Sequence, residues 1–471
     1  MSFHRSISLS AFVLLAASAA PLSAQFAMGG PERPEAPITE SSSAKRPVPA
    51  AGQVIIPTSS LQLAADKGKK AHTNVRFILP SVAIPFAGPP ATGYAVETPQ
   101  SVACIYGVVT AVSGCNPNNA SLGTPSSGSQ TIAIVDAYDD PNIYGDLAYF
   151  SDQFGIPLAT SQFEVVYGTY DGSVPPADFT GGWELEESLD VEYAHALAPK
   201  AKLYLVEAAS NQYTDLLTAV QVAINLVRCG SKSTSSTACA STATGKGEVS
   251  MSWGGEEFSG ETSTGYDSAF AGANVVFLAS TGDTPGTEWP SVSPNVVAVG
   301  GTSTVHNLTN GNFTEEIAWS DAGSGPSSYE PIPSFQSSIS SIAGKVRVVP
   351  DVSAVANPAT GVWVYDSYAL DLTDFGLAED SGAWFIVGGT SVAAPVWTAV
   401  VNNAATKSGT FAANTAAEEK TLYTTLGNKT NYAADFNDIT YGACYFYSGY
   451  FSGTGYDLCT GIGSPKGLAG K

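Results

Sequence analysis

Ser391 lies in the run Val387-Gly388-Gly389-Thr390-Ser391-Val392-Ala393-Ala394-Pro395. The two glycines allow a tight turn, and the apolar residues after them begin a helix. A serine opening that helix meets free N–H groups and the positive end of the helix dipole, which favour developing negative charge. Pro395 suits a first helical turn, where its missing N–H costs little. Ser391 is therefore a candidate nucleophile, and the competing reading is an N-cap serine. A serine nucleophile needs a base. The chain has four histidines. His4 and His72 lie ahead of the main apolar region, and neither His195 nor His306 sits in a His-Gly-Thr setting. A Ser-His-Asp arrangement thus has no obvious base, and only His195 would serve a neutral hydrolase.

Carboxylates offer an alternative. In Glu184-Leu185-Glu186-Glu187-Ser188-Leu189-Asp190-Val191-Glu192, Glu186 and Asp190 are four apart and share one helix face. Their repulsion raises at least one pKa, and a partly buried pair holds one proton between them. Such a pair can act as a general base in acid, where a histidine is protonated. The plainer reading is a solvated acidic face. Asp283 follows the apolar run Val275–Ser280 in a glycine turn, at a strand end where α/β sheets place active-site residues. An ordinary turn aspartate reads the same way. Near the C-terminus, Asp438-Ile439 precedes Ser452-Gly453-Thr454-Gly455-Tyr456-Asp457 and Thr460-Gly461-Ile462-Gly463. Two carboxylates and the carbonyls of glycine turns suit a hard cation such as Ca²⁺, although the spacing is not that of an EF-hand.

Positioning these residues requires strands and helices in alternation. Strands are expected at 131–135, 202–206, 248–252, 275–279 and 296–299. Helices are expected at 141–154, 183–197, 215–227, 266–271 and 391–405. The continuous apolar strands predict an α/β fold, a parallel sheet covered by helices on both faces. One large domain is expected from residue 93 to 471. Residues 25–92, rich in Pro, Ser, Ala and Gly at their start, read as a short, poorly structured leader. Residues 1–24 read as a secretory signal, with a positive start, an apolar stretch from Ile7 to Ala20 and a small-residue site at Leu22-Ser23-Ala24.

Composition narrows the function. Of 471 residues, 42 are acidic and 20 basic, a net charge of −22, which argues against a nucleic-acid partner. Charged residues are 13%, about half the usual ~25%. A hydrophobic content of 44% excludes disorder of the whole chain. Six cysteines fall in three local pairs, Cys104/Cys115, Cys229/Cys239 and Cys444/Cys459. Short loop closure favours pairing of neighbours, and the absence of C-x-x-C spacing argues against zinc. Asn119, Asn307, Asn312 and Asn428 lie in glycosylation sequons.

These blocks together resemble the sedolisin family of serine-carboxyl peptidases, from about Tyr94 to Lys471. The resemblance is carried by Thr98-Pro99 with Tyr106-Gly107, Leu189-Asp190-Val191-Glu192, Ala196-Leu197-Ala198-Pro199 and Ser250-Met251-Ser252-Trp253-Gly254-Gly255. Further along it includes Gly282-Asp283, Ala298-Val299-Gly300-Gly301-Thr302, Ala318-Trp319-Ser320, Pro350-Asp351-Val352-Ser353 and Gly389-Thr390-Ser391. It implies a subtilisin-like fold and a secreted, acid-active endopeptidase acting through an acyl-enzyme. It makes Ser391 the nucleophile, Glu186 its base, Asp190 the residue that shares a proton with Glu186, and Asp283 the oxyanion-hole acid. Trp253 would link Asp190 to Asp136. One Ca²⁺ would be held by Asp438 and Asp457 and the carbonyls of Ile439, Gly453 and Gly455. The expected partners are protein or peptide substrates, with a monomer and no membrane partner after signal cleavage. A tripeptidyl-peptidase of the same family and a non-catalytic secreted binding protein are the alternatives. The family's long prodomain has no counterpart of similar length here.

Overall fold

The structure is a computed structural model that describes residues 53–78, 88–90, 96–110, 112–371, 383–444 and 449–471. The expected signal peptide lies outside the described residues. The chain begins with three short strands, β1 (Val54–Ile55), β2 (His72–Thr73) and β3 (Arg76–Ile78). There follow α1 (Pro99–Ile105), β4 (Thr131–Ala137), α2 (Ile143–Gln153), β5 (Phe163–Tyr167), α3 (Gly182–Leu197), β6 (Lys202–Ala208) and α4 (Tyr213–Cys229). Next come β7 (Gly247–Met251), β8 (Trp253–Glu256), β9 (Val275–Ser280), β10 (Glu288–Trp289), β11 (Val297–His306), β12 (Phe313–Ala318) and β13 (Gly325–Pro331). The last part holds α5 (Ser340–Ala343), β14 (Val346–Val349), β15 (Val352–Val355), β16 (Val362–Asp366), β17 (Ala383–Gly388), α6 (Thr390–Ser408), α7 (Thr415–Gly427) and α8 (Lys429–Asp435).

The central sheet runs β12-β11-β9-β7-β4-β6-β5, with β15 also paired to β11. All its pairs are parallel except β11–β12, where an antiparallel strand closes the edge. Alternation along β4 shows how both faces are covered. Ile132 and Ile134 join the core that includes Leu185 and Leu189 of α3 and Val392 and Val396 of α6. Ala133 and Val135 point the other way, into the core with Leu216, Val220 and Ala223 of α4. The fold is the subtilisin-like α/β arrangement expected from the sequence. The described residues form one compact unit.

Two expectations need correction. Residues 266–271 make only a short 3₁₀ turn, Asp267–Phe270, because Gly265 and Gly272 bracket too few residues to nucleate a helix. The leader is expected to be poorly structured, yet residues 53–78 are built into the main unit. Strand β2 pairs antiparallel with β8, and β3 pairs antiparallel with both β1 and β17. These strands have two or three residues each, too few for a periodic pattern, and their partners are far away in sequence.

All three disulfides join neighbours, Cys104–Cys115, Cys229–Cys239 and Cys444–Cys459. A buried ion pair braces the sheet edge. Arg347, fully buried, donates to both oxygens of Asp351, with Nη1 at 2.5 Å from Oδ1, and lies 3.9 Å from Glu419. Tyr423 and the Ala298 N–H complete the Asp351 shell at 2.7 and 2.8 Å. Arg347→Met should cost about 3–5 kcal/mol at neutral pH, because it strands buried carboxylates, and denaturant unfolding measures the loss.

Candidate active site

The carboxyl ends of β4, β7 and β9 meet the N-terminus of α6. Strand β17 enters through Gly388-Gly389, and Gly389 has a φ of +105°. A Cβ there would lie 2.1 Å from the Asn74 carbonyl oxygen and 2.5 Å from Asp283 Oδ2, so only glycine leaves room. Gly389 is the N-cap, which makes Ser391 the second helical residue and not the cap. Pro395 is the sixth helical residue, beyond the free first turn expected for it. Its missing N–H leaves the Ser391 carbonyl without a helical partner, and the Ser252 hydroxyl lies 3.3 Å from that carbonyl.

Helix α3 is buried along its whole length, including Glu184, Glu186, Glu187, Asp190 and Glu192. It therefore presents no solvated acidic face. The Ser391 hydroxyl donates to the Ser252 carbonyl at 3.2 Å, and neither Glu186 oxygen has a hydrogen bond, although the nearby Ser391 hydroxyl favours the ionised form of Glu186. Burial pushes the Glu186 carboxyl well up, and the charges of Asp190 and Asp136 push it further. Burial also raises Asp190, opposed by a 2.8 Å hydrogen bond from the Ser252 hydroxyl. Asp136 is raised by burial and then by Asp190 and Glu207. Three carboxyls thus share few charges between them, and among the described residues no lysine or arginine forms an ion pair with any of the three.

Asp283 sits just past β9 on the other side of Ser391. The Thr390 N–H and hydroxyl donate to its Oδ1 at 2.7 and 3.0 Å. Its Oδ2 has no hydrogen bond. Burial raises its pKa to about 7 even though Arg76, 3.9 Å away, works in the opposite direction. The group is thus largely protonated in acid and can donate a hydrogen bond there.

Several residues stand elsewhere than expected. The Trp253 indole donates to the Val135 carbonyl at 2.8 Å and does not bridge Asp190 to Asp136. Ser252, one residue earlier, is the group that holds Asp190. His195 is nine residues along α3 from Glu186, about 13 Å down the axis. Burial lowers its pKa to about 4, and its Nε2 makes no hydrogen bond to Ser391 or any other group. Sequence reasoning missed Ser252 and Thr390 as positioning residues, although both lie inside motifs quoted above.

No protein-family model matches the chain. It is 31% identical over 374 residues to kumamolisin of Bacillus sp. (strain MN-32), covering 72% of this chain and 59% of that protein. It is 25% identical over 362 residues to sedolisin of Pseudomonas sp. (strain 101), covering 72% of this chain and 57% of that protein. These similarities support the sedolisin family for this chain. Its fold matches the structure of Pseudomonas sedolisin, a serine-carboxyl proteinase complexed with two molecules of pseudo-iodotyrostatin. The TM-score is 0.58 at 22% identity, over 79% of this chain and 95% of that one. The chain spans less than three-fifths of the length of the two curated relatives.

The C-terminal carboxylates of this chain lie in an oxygen-rich loop. The Gly455 N–H donates to both Asp438 oxygens at 3.0 and 3.1 Å. Asp457 accepts from the N–H groups of Gly453, Cys459 and Thr460 at 3.1, 2.8 and 2.9 Å. Among the described residues neither carboxylate forms an ion pair, and no group of three or more His, Cys, Asp or Glu is arranged to hold a metal. A cation here would depend on backbone carbonyls for much of its shell.

The buried carboxyls set the pH response. Asp140 and Asp283 are raised to about 7, Glu184 and Glu261 to about 9 and Glu330 to about 8, in each case mainly by burial. Unfolded carboxyls titrate near ~4. A group with a raised folded pKa binds its proton more tightly when folded, so its contribution is full below about pH 4 and falls as the pH rises toward the folded value. The melting temperature should therefore rise by about 5 °C or more between pH 7 and pH 4.5, as calorimetry can check.

Proposed function

We propose that the chain is a secreted serine-carboxyl endopeptidase that works in acid. The observation that carries this reading is the convergence of Ser391, a buried Glu186–Asp190–Asp136 cluster and a proton-retaining Asp283 around one helix N-terminus. Ser391 attacks the scissile carbonyl carbon while Glu186 takes its proton. Asp190, held by Ser252, shares the proton load and keeps Glu186 oriented. The Ser391 N–H and the protonated Asp283 bind the oxyanion. Glu186 returns the proton to the leaving amine, and water then cleaves the acyl-enzyme by the same route in reverse. The apolar N-terminal stretch and the three disulfides support secretion. Among the described residues no helix is long and apolar enough to cross a membrane.

Hydrolysis of unfolded protein at about pH 4 tests this reading. Ser391→Ala should abolish it, and Glu186→Gln should lower kcat by about 10³-fold or more. Equal turnover by wild type and Ser391→Ala would leave the non-catalytic binding alternative. Endopeptidase and tripeptidyl-peptidase action separate by product mass, since only the latter releases tripeptides from free N-termini. Asp283→Asn keeps a donor that does not titrate. It should therefore flatten the alkaline limb of the kcat profile near pH 7, at a reduced maximum.

One Ca²⁺ is proposed for the C-terminal loop. Asp438 and Asp457 would supply side-chain oxygens, and Ile439, Gly453 and Gly455 carbonyls. The anionic, all-oxygen donor set fits, and among the described residues neither Asp438 nor Asp457 forms an ion pair. The ion would cross-link the loop to the body of the domain. A chelator should lower the melting temperature of wild type, and Asp438→Ala should remove that sensitivity.

A further inference from the structure

Burial leaves the proposed base short of the charge it needs. Glu186, Asp190 and Asp136 are fully buried, and each is pushed toward its protonated form. A general base must be ionised before it can take the Ser391 proton. The line of carboxyls does not stop at Asp136. On the neighbouring parallel strand β6, Glu207 is the Cα partner of Asp136 in register. Paired strands run about 4.8 Å apart. Ile132 and Ile134 of β4, and Leu203 and Leu205 of β6, join the core beneath α3. Side chains two residues apart share a face, so Asp136 and Glu207 both lie on the α3 side of the sheet.

Glu207 is itself buried. Its pKa is raised to about 10 by burial, and next by Asp139, through charge and through a hydrogen bond between the two carboxyls. Burial raises Asp139 as well, and the same hydrogen bond lowers it, so Glu207 is the donor and Asp139 the acceptor. Asp139 is part-exposed, the least buried member of the line. The preceding residue, Tyr138, has a φ of +79°, rare for a bulky side chain. That backbone turns the chain over the strand ends, where the Tyr138 N–H donates to the Ala208 carbonyl at 2.9 Å. Strain of this kind clusters at functional sites. The other titratable groups facing Glu207 are Glu187 from α3, Asp140 from the turn after β4 and Tyr167 from β5. None of these is a cation.

We infer that Glu207 and Asp139 are positioning residues that deliver the charge of the base from the surface. This rests on the peptidase reading above. At rest the negative charge sits on Asp139, where water solvates it. Glu207 passes its proton to Asp139, Asp136 passes its own to Glu207, Asp190 to Asp136, and Glu186 to Asp190. One O–H bond breaks and another forms at each transfer, and the total charge is unchanged. The result is a neutral Asp139 and an ionised Glu186, which then takes the Ser391 proton.

Hydrolysis of a peptide at about pH 4 by two variants tests the inference. Glu207→Gln keeps the shape of a protonated glutamate and a donor for Asp139, but it passes no proton along the line. Its kcat should fall about tenfold or more, with KM within about twofold of wild type. Asp139→Ala removes the surface end of the line. Its kcat should fall similarly, and added formate, a small free carboxylate, should restore most of the loss. Should Glu207→Gln not melt cooperatively, Asp139→Ala with formate decides alone. A kcat within about twofold of wild type in either folded variant, or a loss in Asp139→Ala that formate leaves unchanged, overturns the inference while the peptidase reading stands. Absence of hydrolysis by wild type removes the peptidase reading, and this inference with it.

Discussion

Helix α3 carries five carboxyl side chains into the interior, and among the described residues no lysine or arginine pairs with any of them. An ionised carboxylate in such a place costs several kcal/mol, so the interior holds these groups as neutral acids instead. Much else depends on that choice. The cluster sits on the face of the sheet that supports Ser391, so the proton count there sets both the strength of the base and the repulsion inside the fold. The scarcity of Lys and Arg in the sequence is consistent with this arrangement, because buried acids that keep their protons need no cations.

The two sides of Ser391 use the same means for opposite ends. On one side Glu186, the proposed base, is helped toward its ionised form by the serine hydroxyl and opposed by Asp190 and Asp136. On the other side Asp283, the proposed donor, is raised to about 7 by burial against the nearby Arg76. Thr390 joins the two halves. It occupies the first helical position before Ser391, and it holds Asp283 through both its N–H and its hydroxyl. A single turn of α6 therefore places the proposed nucleophile and one oxygen of Asp283 in fixed relation.

Legibility from sequence followed the range of the interactions. The strands at 131, 202 and 275 and the helices around Glu186 and Ser391 were readable because each is a long apolar or periodic run. Candidate site residues were readable where a local pattern marks them, as with Gly-Thr-Ser and the i, i+4 carboxylates. Ser252 was not readable as the partner of Asp190, because that contact crosses 62 residues and leaves no periodic trace. Trp253 was misassigned for a related reason, since nothing local shows which acceptor a buried indole reaches. Strands β1, β2 and β3 were hidden because each borrows its order from a distant partner.

The segment His72–Ile78, paired with β8 and β17 and accepting from the Ser391 N–H through the Asn74 carbonyl, differs from any diffusing ligand in being covalently tethered. For a short flexible tether the local concentration is on the order of millimolar, whatever the concentration of protein. Occupancy of the cleft is then a property of each molecule alone. Dilution does not empty it, and a free peptide at micromolar concentration competes at a disadvantage of about a thousandfold.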